Sequence, residues 1–389
     1  MGLPKTFIMN RIKYYGHLLL GVLIVMNTSC ITSNEKNISS VNIDFLSEYI
    51  HTSTFLDEQK FIKLETFPTD AVIKNIDRAL FSKNKLFIID RSSNKIIAFD
   101  EKGHYLCSTS NLIGRGKDEY VRLLDAAIDN QEKRLYVYCD VPHQMMILDY
   151  NLQLIDCIKI DALFSEFSID NSYLYALCPD LQKETRHELR CYRKDNLSNG
   201  HYVLIEQNKA IARAGGLGKA INKSGNKVYV SMPFDNTIYE LSGGEITDIW
   251  KLNFSDKWFN YENSKKLKGS KFIDANGDYN WCIQNICASD SLLLFNTNKS
   301  TIYEALLANG IAFGFRGIIN DSIPFSNSLF LPTDGLKNAI GFSISAENIL
   351  QYREYYRERE QELPSSPINS IIESFNEADN PLIIIGTIK

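Results

Sequence analysis

Lys85 to Gly103 reads KLFIIDRSSNKIIAFDEKG, and Arg134 to Leu152, 49 positions later, reads RLYVYCDVPHQMMILDYNL. Each is an apolar strand, a turn opened by an aspartate (Asp90, Asp140), a second apolar strand and a closing aspartate (Asp100, Asp149). Aspartate suits such positions because its carboxylate accepts hydrogen bonds from backbone amides just ahead of it, which holds a turn. Self-similarity at roughly 40 to 50 residues marks a chain built from one supersecondary unit used repeatedly, and strand-rich units of that length are propeller blades.

Further copies follow the same pattern of strand, polar turn and strand. Tyr173 to Leu177 pairs with Glu188 to Tyr192, a fourth unit runs from Val228 to Leu241, and a fifth from Leu292 to Leu306. Ile302-Tyr303-Glu304 in the fifth repeats Ile238-Tyr239-Glu240 in the fourth. A sixth is expected in Gly310 to Ile344, with strands at Gly314 to Ile318 and Ser328 to Leu331. A closed propeller removes its sheet edges by completing the last blade with the other end of the chain. Phe61 to Glu65 is expected to do this, with the apolar run Pro381 to Ile388 as its partner. The expected fold is therefore all-β, a six-bladed β-propeller over residues 41–389. Ala346 to Leu363, rich in helix formers and charge, reads as a helix N-capped by Ser345, with a second short helix over Ile368 to Ala378.

At 389 residues, with 44% hydrophobic and 23% charged content, the chain carries enough apolar material for a large folded body. The 20 Tyr and 21 Phe suit strands, whose pleated surface packs aromatics well. A net charge of -5 argues against nucleic acid as a partner, since phosphate binding needs a basic face.

Residues 1–29 read as a signal peptide. Lys5, Arg11 and Lys13 precede the apolar run Leu18 to Met26, which is short for a membrane span and the right length for a secretory signal. Asn27-Thr28-Ser29-Cys30 resembles the lipobox of bacterial lipoproteins, with Asn27 where leucine is usual, so Cys30 is expected to be the lipidated mature N-terminus. Residues 30–40 are polar and read as a flexible tether. Seven cysteines remain beyond Cys30. Cys178 with Cys191 and Cys282 with Cys287 are candidate disulfides, and burial as small hydrophobes in strands is the alternative, read most plainly at Cys139 and Cys157. No Cys or His spacing fits a structural zinc, and no metal or cofactor is expected.

Leu112 to Asp129, LIGRGKDEYVRLLDAAID, and the strand units flanking it resemble the six-bladed β-propeller lipoproteins of gut Bacteroidetes, related to NHL-repeat propellers. Members carry a Gly-x-Gly-Pro-Gly-Glu-Tyr element before a blade. Gly114, Gly116, Glu119 and Tyr120 match it, while Lys117 and Asp118 stand where Pro and Gly are usual. The resemblance implies the fold and an envelope location, as an outer-membrane lipoprotein facing the periplasm or the surface. It implies no specific activity.

Candidate sites follow from these motifs. Gly114, Gly116, Glu119 and Tyr120 form either a ligand-facing loop or a packing turn. Trp258 and Trp281, in an aromatic cluster with Tyr261 and Tyr279, form either a sugar-stacking platform or core packing. The histidines are scattered, no GxSxG or HExxH motif occurs, and Gly215 to Lys219 lacks P-loop spacing, so no catalytic residues are assigned. The expected function is a non-catalytic, membrane-anchored propeller binding a glycan, a peptide or an envelope protein. The alternatives are a propeller enzyme of the lyase, lactonase or sugar-dehydrogenase kind, or an assembly scaffold.

Overall fold

The computed structural model describes residues 37–46, 48–160, 162–179, 186–207, 218–232, 234–259, 279–299, 302–323, 329–359, 361, 363 and 368–389. Cys30, the signal segment and Tyr261 lie outside them. Residues 38–389 form one compact unit.

The unit is all-β and propeller-like, built from antiparallel four-stranded meanders. Sheet I comprises Arg78–Phe81, Lys85–Asp90, Lys95–Asp100 and Tyr105–Ser108. Sheet II comprises Arg122–Asp129, Arg134–Val141, Gln144–Asp149 and Leu154–Lys159; sheet III comprises Glu166–Ile169, Tyr173–Pro179, Arg186–Arg193 and Asn196–Gln207. Sheet IV (Ile221–Ser224, Lys227–Val230, Thr237–Ser242, Glu245–Asn253) and sheet V (Ile283–Ala288, Leu292–Thr297, Ile302–Leu306, Ile311–Phe315) merge into one nine-stranded sheet through the strand Asn37–Phe45. That strand runs parallel to Ile311–Phe315. Asn37 to Ser40 therefore belong to a strand, which shortens the expected tether: alternate residues Val41 and Ile43 are buried, and this anchors the polar residues before them.

Sheet VI is assembled from both ends of the chain. Leu329–Leu331, Ala339–Ile344 and Leu382–Ile388 pair in order, and Leu56–Lys63 adds to Leu382–Ile388 in antiparallel register, Ile62 opposite Ile383. The closing pair expected from sequence is thus present. Of Gly314 to Ile318, expected in this sheet, Gly314 and Phe315 instead end the last strand of sheet V, where Gly314 faces Tyr303, and Ile318 begins the short strand Ile318–Ile319, parallel to Ile50–His51.

Strands that are apolar on both faces are explained by the packing. In sheet I, Phe87, Ile89, Ile96 and Ala98 meet Ile128, Leu135, Val137 and Met146 of sheet II. The intervening Leu86, Ile88, Ile97 and Phe99 face sheet VI, through Ile62, Leu331 and Ile383. Successive side chains of a strand alternate faces, so each sheet serves two cores. Leu174, Ala176 and Cys178 of sheet III pack on sheet II, and Tyr175 and Leu177 on sheet IV. Sheets IV and V, and then V and VI, share the next two cores.

The repeated aspartates are turn devices. Asp100 Oδ1 accepts from the amides of Lys102 (2.8 Å) and His104 (2.9 Å). Asp149 Oδ1 accepts from Asn151 (2.8 Å) and Gln153 (2.9 Å). Each turn contains a left-handed residue, Gly103 (φ 94°) and Leu152 (φ 59°). Glycine is required at the first, because a Cβ there would lie 2.2 Å from the Lys63 carbonyl oxygen. Asp90 caps its turn through the Ser93 amide, whereas Asp140 pairs with Arg122.

Between the last two strands of sheet VI lie helices α1 (Ala346–Arg357) and α2 (Asn369–Glu373). Ser345 Oγ accepts from Asn348 N at 3.2 Å, the expected N-cap. Helix α1 buries Ile349 and Tyr352 against Ile368, Ile372 and Phe375. It ends before the expected Leu363 because no apolar residue between Tyr356 and Leu363 gives a further turn anything to bury. Arg353 ties the helices together, donating to the carbonyls of Ile372, Glu373 and Phe375. The described cysteines, Cys107 to Cys287, are all free, so neither candidate disulfide forms. Burial pushes the thiols of Cys139, Cys178, Cys191, Cys282 and Cys287 up to about 12.

Candidate functional site

The first strands of successive sheets lie side by side, sheet I next to II, II to III, III to IV and IV to V, and the first strand of V meets the second strand of VI. Leu80 of sheet I then forms a parallel bridge with Asp334, just past the first strand of sheet VI. Arg78, Asp125 and Glu166 on the first strands of sheets I, II and III, Lys219 just before that of IV and Asp334 just after that of VI converge.

Arg78 is the hub. Its Nε donates to Asp334 Oδ2 at 2.5 Å and its Nη1 to Asp125 Oδ2 at 3.0 Å. Nη1 also reaches the Phe167 carbonyl at 2.8 Å, and Nη2 reaches that of Ile221 at 3.3 Å. One guanidinium thus touches sheets I, II, III and IV and the turn after the first strand of VI, a use of its planar fork that lysine could not reproduce. Lys219 Nζ approaches Asp125 Oδ1 at 3.3 Å, and the Lys223 amide donates to Asp334 Oδ1 at 2.6 Å. Glu166 Oε2 accepts from the amides of Ala220 (2.7 Å) and Ile221 (3.3 Å).

Burial works against the charge on Arg78, but Asp334 and Asp125 outweigh it and raise its pKa. Burial likewise opposes the Asp125 carboxylate; Lys219 and Arg78 overcome it, leaving Asp125 below its ordinary value. At Glu166 burial prevails and the pKa rises, although Lys219 and the Ala220 amide pull the other way. Burial also lowers Lys223.

Above this charged floor opens a cavity of about 460 Å³, within the size range of small-molecule sites. Glu166, Lys219 and Arg91 line its charged side, with Arg91 held to Asp77 at 2.6 Å. The other side is lined by Asn296 and Ile302 of sheet V, by Phe330 and Ser343 of sheet VI and by Ile318. Asn285 also faces the cavity. It sits at a β-bulge in the first strand of sheet V with φ 53°, and its Oδ1 accepts from the Lys219 amide at 2.9 Å. Bulges of this kind re-aim a side chain out of the ladder.

The residues singled out from sequence lie elsewhere. In the Gly114–Tyr120 loop, Glu119 Oε2 accepts from the Gly116 amide at 2.6 Å, and a Cβ on Gly114 would lie 2.0 Å from that oxygen. Tyr120 is fully buried; its hydroxyl meets Thr109 Oγ1 at 2.6 Å and the Asn94 carbonyl at 3.0 Å. The loop's glycines thus make room for the Glu119 carboxylate, and its tyrosine fastens sheet I to sheet II. Trp281 stacks on Phe234 with ring centres 5.4 Å apart, and Trp258 packs 4.7 Å from Phe254 while donating Nε1–H to the Phe234 carbonyl. None of Gly114, Gly116, Glu119, Tyr120, Trp258 and Trp281 lines the cavity. Single charged residues open two of the short first strands, Arg78-Ala-Leu-Phe and Glu166-Phe-Ser-Ile, and nothing in the sequence joins them.

A family profile described as a domain of unknown function, DUF4934, matches residues 39–387. Among solved structures, a presumed exported protein of Bacteroides fragilis is similar over 91% of this chain and 100% of its own, with 15% identity and a TM-score of 0.68. A virginiamycin B lyase of Staphylococcus aureus matches 83% of this chain and 82% of its own at 10% identity and TM-score 0.43. BamB of Moraxella catarrhalis matches 75% of each chain at 10% identity and TM-score 0.39. No protein of curated function matches.

Proposed function

The chain belongs to the DUF4934 family, and from that premise we propose that it is an envelope-anchored, six-bladed binding propeller that takes a ligand into the cavity above Arg78, without turning it over. Support for six blades comes from the shared cores, which lead from sheet I round to sheet VI and back to I. Lipidation at Cys30 supplies the anchor, and likeness to a presumed exported protein accords with an envelope location. The observation that carries the binding reading is the cavity itself. Its rigid floor ties successive first strands together, so the groups lining it are held in place before a ligand arrives, which reduces the ordering that binding must otherwise supply.

The charges in the floor suit this role better than catalysis. Arg78, Asp125 and Asp334 are committed to one another and to backbone groups, and none is left poised for a substrate. Exposed Ser165 lines the cavity, so Ser165→Trp should obstruct it without disturbing a core. Any ligand identified by titration calorimetry on the full chain should lose at least tenfold in affinity to this variant. Undiminished binding, or conversion of the bound ligand to a product, would contradict the proposal.

A further inference from the structure

The cavity above Arg78 keeps one carboxylate unpaired. Of the charged residues lining it, Arg78 is bound to Asp125 and Asp334, Arg91 to Asp77, and Lys219 to Asp125. Glu166 makes no ion pair among the described residues. Its Oε2 is taken by the amides of Ala220 and Ile221, and its Oε1 accepts no hydrogen bond among them. The residue is partly exposed where it lines the cavity, and Oε1 is not one of the polar atoms closed off without a partner, so it opens into that space. Burial raises the pKa of this carboxyl despite the pull of Lys219, a cost that a glutamine would avoid. Beside it, Asn285 Oδ1 accepts from the Lys219 amide at 2.9 Å, while Asn285 Nδ2 donates to nothing among the described residues. Gly218 leaves room for that amide, since a Cβ there would lie 2.5 Å from Nδ2. Glu166 and Asn285 thus hold the successive amides of Ala220 and Lys219, and each turns a free group, one acceptor and one donor, to the same corner.

We infer that this corner binds the amino terminus of a peptide, with Glu166 Oε1 accepting from the α-ammonium and Asn285 Nδ2 donating to the first carbonyl. This rests on the binding reading above and deepens it. Three features select the class. The cations lining the cavity are already paired, so an anionic ligand would have to displace a carboxylate, whereas an ammonium meets an oxygen that is free and gains a charge-assisted hydrogen bond. A carbonyl suits Asn285 Nδ2 because it accepts without carrying a hydrogen of its own. An amino sugar would set a hydroxyl there, whose hydrogen needs an acceptor, and Asn285 Oδ1 is already used. Ile318 and Phe330, both partly exposed, line the same cavity and suit an apolar first side chain.

The test is calorimetric titration of the full chain with leucyl-alanyl-alanine amide, with its N-acetylated form, and with glucosamine, on the parent, Glu166→Gln and Ser165→Trp. The free-amine peptide should bind the parent, and acetylation or Glu166→Gln should each weaken it by about tenfold or more, the scale of one hydrogen bond to a charged group. A pH series separates a charge contact from a structural role. Arg78, Arg91, Asp125, Lys219 and Cys282 also act on Glu166; the Cys282 thiol, pushed up to about 12, stays neutral, and the α-ammonium keeps its charge below about pH 7. As pH falls from 7 through the raised pKa of Glu166, the carboxyl takes up a proton that the ammonium must displace, so affinity should fall in the parent and stay level in Glu166→Gln. Equal binding of free and acetylated peptide, lost in Ser165→Trp, would overturn the ammonium assignment and leave the cavity standing. Binding of the free amine that Glu166→Gln and Ser165→Trp both retain would overturn the site itself. Glucosamine binding without peptide binding would overturn the peptide assignment, and failure of the free-amine peptide to bind would overturn the inference.

Discussion

Arg78 Nε and Asp334 Oδ2 meet at 2.5 Å across 256 positions of sequence, with about 2% and 1% of their side chains exposed. They join the first strand of sheet I to the turn after the first strand of sheet VI, beside the bridge between Leu80 and Asp334 and the hydrogen bond from Phe81 N to the Asp334 carbonyl. The pair is a closure device as much as a floor for the cavity, since it fastens the ends of the sheet series at their inner edge.

Removing one partner of a buried, hydrogen-bonded pair leaves the other charge without compensation. Arg78→Met should therefore lower unfolding free energy by about 3–5 kcal/mol, read as a shift in the urea midpoint at pH 7. Arg78→Lys should recover only part of this, because a point charge cannot serve two carboxylates and two carbonyls together. A midpoint for Arg78→Met equal to that of the parent would show that the network does not hold the closure.

Two carboxyls of the floor should give opposite pH dependence. Asp125 has a folded pKa below its ordinary 3.8, so its contribution is present above that value and is lost as pH falls through the folded pKa. Glu166 has a folded pKa above its ordinary 4.5, so it favours folding when protonated and becomes progressively unfavourable as pH rises through that raised value. Asp125→Asn should be less stable than the parent at pH 7, with the gap narrowing below about pH 4. Glu166→Gln should gain stability at pH 7 and lose that gain on acidification. Denaturant midpoints from pH 3 to 8 check both, and slopes of the same sign for the two variants would contradict the assignment.

The Gly114–Tyr120 loop should behave as a fastening and not as a ligand contact. Tyr120→Phe removes the hydroxyl shared with Thr109 and Asn94 and should reduce stability by about 1–2 kcal/mol in thermal or urea unfolding, with ligand affinity unchanged. Loss of affinity at full stability would move the binding site to this loop.

Anchoring is separable from folding. Cys30→Ala should shift the protein from the membrane fraction to the soluble fraction after cell fractionation, with its thermal unfolding unchanged. Retention at the membrane would argue for an anchor other than a lipid on Cys30.

Much of the fold was legible because local chemistry repeats. The turn aspartates Asp100 and Asp149 and the two-faced apolar strands beside them are set by contacts within one sheet and its neighbours, and such patterns survive in sequence. Sheet VI was harder. Its strands come from opposite ends of the chain with two helices inserted, and Ala339–Ile344 carries Gly341 in a run too short to show alternation. The site was not legible at all. Arg78, Asp125, Glu166, Lys219 and Asp334 are spread over more than 250 positions, and each alone resembles an ordinary strand-end charge. Only the convergence of first strands makes them one cluster. The glycine and tryptophan motifs stood out because they are locally unusual, and what makes them so is packing: a carboxylate folded over Gly114 and an indole stacked on Phe234.

The central claim, that the chain is a binding propeller whose ligand enters the cavity above Arg78, is tested most directly by a crystal structure of the protein soaked with a ligand identified by titration calorimetry. The account predicts ligand density in the cavity, beside Ser165, with Arg78 still bonded to Asp125 and Asp334. Density confined to the Gly114–Tyr120 loop or the Trp258 face, with the cavity empty, would contradict it.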